Sequence, residues 1–166
     1  MLKKFLYILF VVSLTVQAQK TTFSKEALEE KMTAIDGSEI TFGNILKKYE
    51  GKVIVLDIWA SWCSDCIKGM PKVKKLQEAY KNSNTVFVFM SLDRAKDSWK
   101  KGIERFSVIG EHYFIDAGWK PSAFCKDIEL DWIPRYMIID KTGKIAYYKA
   151  IKANDEQFIN YLKSLQ

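Results

Sequence analysis

Hydrophobic and polar positions recur along this chain with two periods, and the switches between them mark out its elements. Residues 1–18, MLKKFLYILFVVSLTVQA, carry Lys3 and Lys4, then a nearly unbroken apolar run from Phe5 to Val16, then the small residue Ala18. That is the pattern of a secretory signal peptide. The run is short of the about 20 apolar residues a membrane-spanning helix needs, which favours cleavage over anchoring. Residues 19–31 are polar and read as a lead-in to a single domain covering 32–166. MTAIDGSEITF alternates about Asp36-Gly37, a two-residue turn signal, and predicts a hairpin. GNILKKYEGK predicts a short helix stopped at Gly51, and VIVLDIWA (53–60) a strand buried on both faces. Apolar residues at Ile67, Met70, Val73, Leu76 and Tyr80 then lie on one stripe of a helix that Pro71 should kink. TVFVFMSLD (85–93) predicts a second buried strand and DSWKKGIERF a helix, followed by an irregular aromatic stretch through Phe124. RYMIID and KIAYYKA flank KTG and predict a hairpin; a last helix, capped by Asn154, presents Phe158, Tyr161, Leu162 and Leu165 on one face. Strands alternating with helices, closed by a hairpin, give an α/β class with a mixed sheet.

Composition narrows the partners. Of 166 residues, 48% are apolar, enough for one well-buried core. Removing Lys3 and Lys4 with the leader lowers the formal charge from +6 to +4, and the remaining lysines are scattered among acids. No basic stripe for nucleic acid is present. Export to the periplasm would also set the redox context, since disulfides persist outside the cytoplasm.

Two of only three cysteines stand in WASWCSDC, at Cys63 and Cys66. A redox dithiol needs one exposed, acidified thiol and a partner able to displace what it captures. A junction between a buried strand and a helix start meets the first need, because free N–H groups and the positive helix end stabilise a thiolate at Cys63. Cys66, one turn on, meets the second. A permanent bridge over so short a span would constrain little of the unfolded chain. Zinc usually takes four ligands, and nothing in the spacing brings His112 and Cys125 to the pair. Cys125, among the apolar neighbours of PSAFCKDIEL, reads as a packing residue.

The segment VLDIWASWCSDC resembles the active site of thioredoxin, and more closely the exported thioredoxin-like thiol-disulfide oxidoreductases of the TlpA/ResA type. Pro71 is similar to that family's helix proline, and WIPRYMIIDKTGKI to its cis-proline strand and hairpin. The resemblance implies a thioredoxin fold: a central mixed β-sheet flanked by helices, with an N-terminal β-hairpin extension and a central insertion from Asp93 to Asp131.

It also implies roles. Asp57 is similar to the family's buried acid, which relays a proton for Cys66; Phe89 stands where thioredoxin has a lysine partner for that acid. Trp59 and Trp62 would either shield the dithiol and shape a docking surface or serve as ordinary core aromatics. X-Pro bonds are cis in only about 5–6% of cases, but the resemblance implies a cis Ile133-Pro134 bond, with the Ile133 backbone pairing to an extended substrate beside Cys63. Arg135 either adds positive potential near the sulfur or is a solvated strand-edge charge. The implied chemistry is thiol-disulfide exchange without a cofactor, acting on protein disulfides or thiols and recharged by a membrane thiol-transfer protein. Asp65, between the cysteines, opposes an unusually stabilised thiolate and favours the reducing direction. The rival readings are a metal-binding or non-enzymatic thioredoxin-fold module and a thiol peroxidase, whose usual threonine and arginine WASWCSDC does not supply.

Overall fold

The computed structural model describes residues 19–166, so the leader pattern at 1–18 lies outside the described residues. Thirteen elements follow in chain order: α1 (Lys25–Glu29), β1 (Lys31–Ala34), β2 (Glu39–Thr41), α2 (Phe42–Lys48), β3 (Val53–Trp59), α3 (Ser64–Tyr80), β4 (Thr85–Ser91), α4 (Lys96–Phe106), β5 (Glu111–Phe114), α5 (Ala123–Asp127), β6 (Arg135–Ile139), β7 (Ile145–Ala150) and α6 (Glu156–Ser164). The strands form one mixed sheet in the order β2-β1-β5-β4-β3-β6-β7.

All seven residues of β3 are buried, as its unbroken run of β-branched and apolar residues requires. It therefore lies inside the sheet, parallel to β4 and antiparallel to β6. The predicted hairpins sit at the two ends of the sheet. The turn Ala34–Ser38 joins β1 to β2, with Gly37 at a φ of +90° that glycine adopts without strain. β6 and β7 pair antiparallel at the opposite edge. α3 runs through Pro71 as one helix and buries Cys66, Met70, Val73 and Leu76.

Three features differ from the sequence reading. β5 lies in the stretch read as irregular, pairing parallel with β4 and antiparallel with β1. Four residues are too few to show a period, and the strand exists because its neighbours complete its hydrogen bonds. The lead-in contains α1, capped by Ser24, and contributes Phe23 and Ala27 to the core. Phe23 meets the Phe42 ring edge-on at 4.8 Å, Phe42 meets Phe124 at 4.6 Å, and Lys20 pairs with Asp127 at 2.6 Å. The cap of α6 is Asp155, whose carboxylate accepts from the Phe158 N–H at 2.9 Å, so Asn154 stands one residue too early.

The insertion is tied to the sheet through α4, whose Gly102 faces the loop after β3. A Cβ there would lie 2.5 Å from Ser61 Cβ and 3.4 Å from Trp59 Cη2, neither of which can swing away. Gly102→Ala should destabilise the protein by about 1–3 kcal/mol, a fall in Tm of roughly 3–10 °C in a thermal scan.

Candidate active site

β3 ends at Trp59, and the chain turns through Ser61 and Trp62 before α3 begins at Ser64. Cys63 is the N-cap of α3: its Sγ accepts from the Cys66 N–H at 3.2 Å, and its own N–H donates to the Ala60 carbonyl at 3.1 Å. A helix N-terminus is electropositive because its first N–H groups lack partners within the helix, and here one of them points at sulfur. Cys63 and Cys66 are joined in a disulfide with Cα atoms 5.3 Å apart. The pair is asymmetric: Cys63 retains 7% exposure, while Cys66 is fully enclosed. The Cys63 sulfur lies 3.6 Å from the carbonyl oxygen of Ile133, and the Ile133-Pro134 bond is cis.

Asp57 lies in β3, with Tyr136 of β6 directly across on one side and Phe89 of β4 on the other. Tyr136 brings its hydroxyl 3.1 Å from where a Cβ on Gly69 of α3 would stand, so this row faces the helix that carries Cys66. Neither carboxyl oxygen of Asp57 has a hydrogen-bond partner among the described residues, and the side chain is buried. Desolvation disfavours the charged form and holds its pKa well above the usual carboxylate range. Burial, reinforced by Asp57 itself, also pushes the Tyr136 hydroxyl upward. Phe89 presents no charge to Asp57; its ring stacks on His112, centroids 5.1 Å apart.

A second carboxylate, which the sequence reading noted only as the start of the insertion, has the opposite surroundings. Asp93 is buried, yet it accepts from the Ser61 N–H at 3.1 and 3.2 Å, from the Ser61 hydroxyl at 2.6 Å and from the Ser91 hydroxyl at 2.9 Å. It thereby fixes the turn that delivers Trp62 and Cys63. The signal was the serine two residues before Cys63, but its partner is 32 positions away and became identifiable only once β3 and β4 were paired.

The two tryptophans of WASWC divide. Trp59 is fully buried and is the core aromatic of the two readings offered for it, taking no part in a surface. Trp62 is 53% exposed beside the dithiol, its indole N–H donating to the Leu92 carbonyl at 3.3 Å. Trp132, which sequence reading did not single out, is 61% exposed and precedes Ile133. Arg135 fits neither expectation. It is wholly buried, donating to the Ile128 carbonyl at 3.2 Å and pairing with Asp131, and so ties the loop before Pro134 to the sheet. Strand alternation explains this, because Arg135 points away from the face that Tyr136 shares with Asp57. Cys125 is a free, buried thiol on α5, pushed up to about 11 by burial, and is unsuited to attack at neutral pH. Among the described residues no three His, Cys, Asp or Glu side chains gather into a metal-binding group, and no helix is long and apolar enough to cross a membrane.

A mixed sheet of thioredoxin type with a CxxC pair at the junction of its central strand and a helix start defines a class, the thiol-disulfide oxidoreductases. The chain belongs to the Redoxin family, whose model matches residues 18–165. It is 26% identical over 147 residues to the thiol-disulfide oxidoreductase ResA of Bacillus thuringiensis, an alignment covering 89% of this chain and 80% of that protein. A thiol-disulfide oxidoreductase from Bacteroides fragilis superimposes with a TM-score of 0.71 at 22% identity, over 86% of this chain and 100% of the other. The thioredoxin domain of a Bacteroides vulgatus thiol-disulfide oxidoreductase gives 0.69 at 22%, over 87% and 99%. The protein is accordingly an enzyme of thiol-disulfide exchange.

The bare Asp57 carboxyl makes stability depend on pH in a fixed direction. In the unfolded chain it titrates near about 3.9, whereas in the folded protein it holds its proton to higher pH. Stability associated with the neutral form is therefore complete below about pH 4 and is lost as pH rises toward the folded-state pKa. Asp57→Asn, which cannot ionise, should gain on the unaltered protein between pH 4 and pH 8 by on the order of 1–3 kcal/mol. Denaturant unfolding of both oxidised proteins at the two pH values measures that difference.

Proposed function

We propose that this enzyme is an exported protein-disulfide reductase in which Cys63 attacks and Cys66 resolves. The observation that carries this reading is the asymmetry of the pair: Cys63 caps α3 beside the Ile133 carbonyl with part of its surface open, and Cys66 lies enclosed beneath it.

In the reduced protein the Cys63 thiolate attacks one sulfur of a substrate disulfide. The substrate S–S bond breaks, its other sulfur leaves as a thiolate and takes a proton, and a mixed disulfide joins Cys63 to the substrate. Cys66 then gives its proton to Asp57 in its ionised form and attacks the Cys63 sulfur; the mixed-disulfide bond breaks, the second substrate sulfur leaves as a thiolate and takes a proton, and Cys63 and Cys66 are left joined by a disulfide. A carboxyl whose pKa burial has raised well above the usual carboxylate range lies closer to a thiol in acidity and exchanges a proton with it more evenly than an ordinary carboxylate does. The two electrons given to the substrate are restored by a thiol donor, for which we propose a membrane thiol-transfer protein. Trp62 and the Ile133-Pro134 backbone form the surface on which the substrate lies.

Export is supported by the basic start, apolar run and small residue of positions 1–18, and the domain proposed to remain covers 32–166 with its lead-in 19–31. The reducing direction is supported by Asp65, whose carboxylate stands in the first turn of α3 and opposes negative charge on Cys63.

Two measurements test this reading. In Cys66→Ser the mixed disulfide cannot be resolved, so protein substrates should accumulate covalently on Cys63, whereas Cys63→Ser should capture none. Equilibration of the pair against glutathione or dithiothreitol buffers should give a potential below about −220 mV. A value above about −150 mV would overturn the reducing direction and make the protein an oxidant or isomerase.

A further inference from the structure

Beside the dithiol, between the first turns of α3 and the segment after β7, lies a groove of about 330 Å³. Gly69, Pro134 and Tyr136 line it together with Trp132 and Ile151, both more than half exposed. Its other lining residues are Asp65, Lys68, Lys72, Lys152 and Ala153. Lys68 lies 3.9 Å from Asp65, while Lys72 and Lys152 form no ion pair among the described residues. Three ammonium groups thus face one carboxylate around an apolar shelf.

The groove continues the surface on which a substrate strand would lie. Ile133 sets its carbonyl against the Cys63 sulfur, and its N–H has no hydrogen-bond partner among the described residues. An extended segment pairing there sends alternate side chains to opposite sides, and Pro134, the next residue, opens the groove. An aromatic or aliphatic side chain covers Trp132 and Ile151 from water, and a carboxylate within a residue or two of it meets Lys72 and Lys152. Basic side chains in the same place meet like charge.

Building on the proposed reductase reading, we infer that this groove is a specificity site: the enzyme selects substrate disulfides whose reactive cysteine is flanked by an acidic residue next to an apolar one. The recognition comes from rim charges, so it acts on the rate of association and is screened by salt.

The probes are two synthetic peptides, each closed by one disulfide, that differ only in the two residues flanking one cysteine: Phe-Glu in the first, Phe-Lys in the second. Reduced full-length protein is mixed with each in excess, the reaction is quenched with a thiol-blocking reagent, and the rate constants are compared. At low salt the Glu peptide should react roughly five- to tenfold faster, and the ratio should fall toward one in 1 M NaCl, where the Debye length is about 3 Å. In the double variant Lys72→Glu, Lys152→Glu the ratio should invert; because it is taken within one protein, any loss of folded material cancels. Hydroxyethyl disulfide, small and uncharged, serves as the control. Equal rates for the two peptides with the control reduced would overturn the specificity site and leave the reductase reading standing. Failure to reduce either peptide or hydroxyethyl disulfide would overturn both.

Discussion

A strand with seven consecutive buried residues has to lie inside a sheet with cover on both faces, and β3 meets that demand between β4 and β6. The rest of the site depends on it. Because β3 is held along its whole length, the turn that follows has a fixed start, and Cys63 is delivered to the N-cap of α3. Because β6 is its direct neighbour, the loop ahead of β6 arrives at the same point and sets the Ile133 carbonyl 3.6 Å from the Cys63 sulfur. Two segments 70 positions apart in sequence thus meet at one atom.

Two buried aspartates show how the same side chain serves different ends. Asp93 is surrounded by donors, and its burial is compensated by hydrogen bonds that hold the turn before Cys63. Asp57 has no such donors and is held against ionisation by desolvation alone. A satisfied carboxylate fixes geometry, whereas an unsatisfied one is a reservoir for a proton. Asp57 lies in β3, the strand that leads into the turn before Cys63, and Asp93 holds that turn through Ser61. Arg135 is a third buried charge and acts as a tie, joining Ile128 and Asp131 to the base of the loop that holds Pro134.

Much of the remaining shape serves to complete the sheet. β5 links the β1-β2 hairpin to β4, so the hairpin belongs to the main sheet and is not an appendage. The lead-in packs Phe23 against Phe42 and so anchors the same end of the molecule. At the other end, Trp132 and Ile151 remain exposed beside the dithiol, where an apolar side chain from another molecule would find cover.

The sequence alone determined the strands and helices whose patterns run long enough to show a period, β3, β4, α3 and α4, and the two hairpins, whose turns are marked by Asp36-Gly37 and by KTG. It also determined the cysteine pair and its place at a helix start, because both are local. Wherever the controlling contact is distant, only the tertiary structure decided. β5 is four residues long and exists through its partners in β4 and β1. Asp93 takes its role from Ser61 and Ser91, Arg135 is buried because α5 and its following loop cover it, and Trp59 and Trp62 differ because one ends a central strand and the other stands on the turn beyond. A residue's type and its near neighbours set what it can do chemically; burial and partners, which select among those possibilities, come from parts of the chain that meet only when it folds.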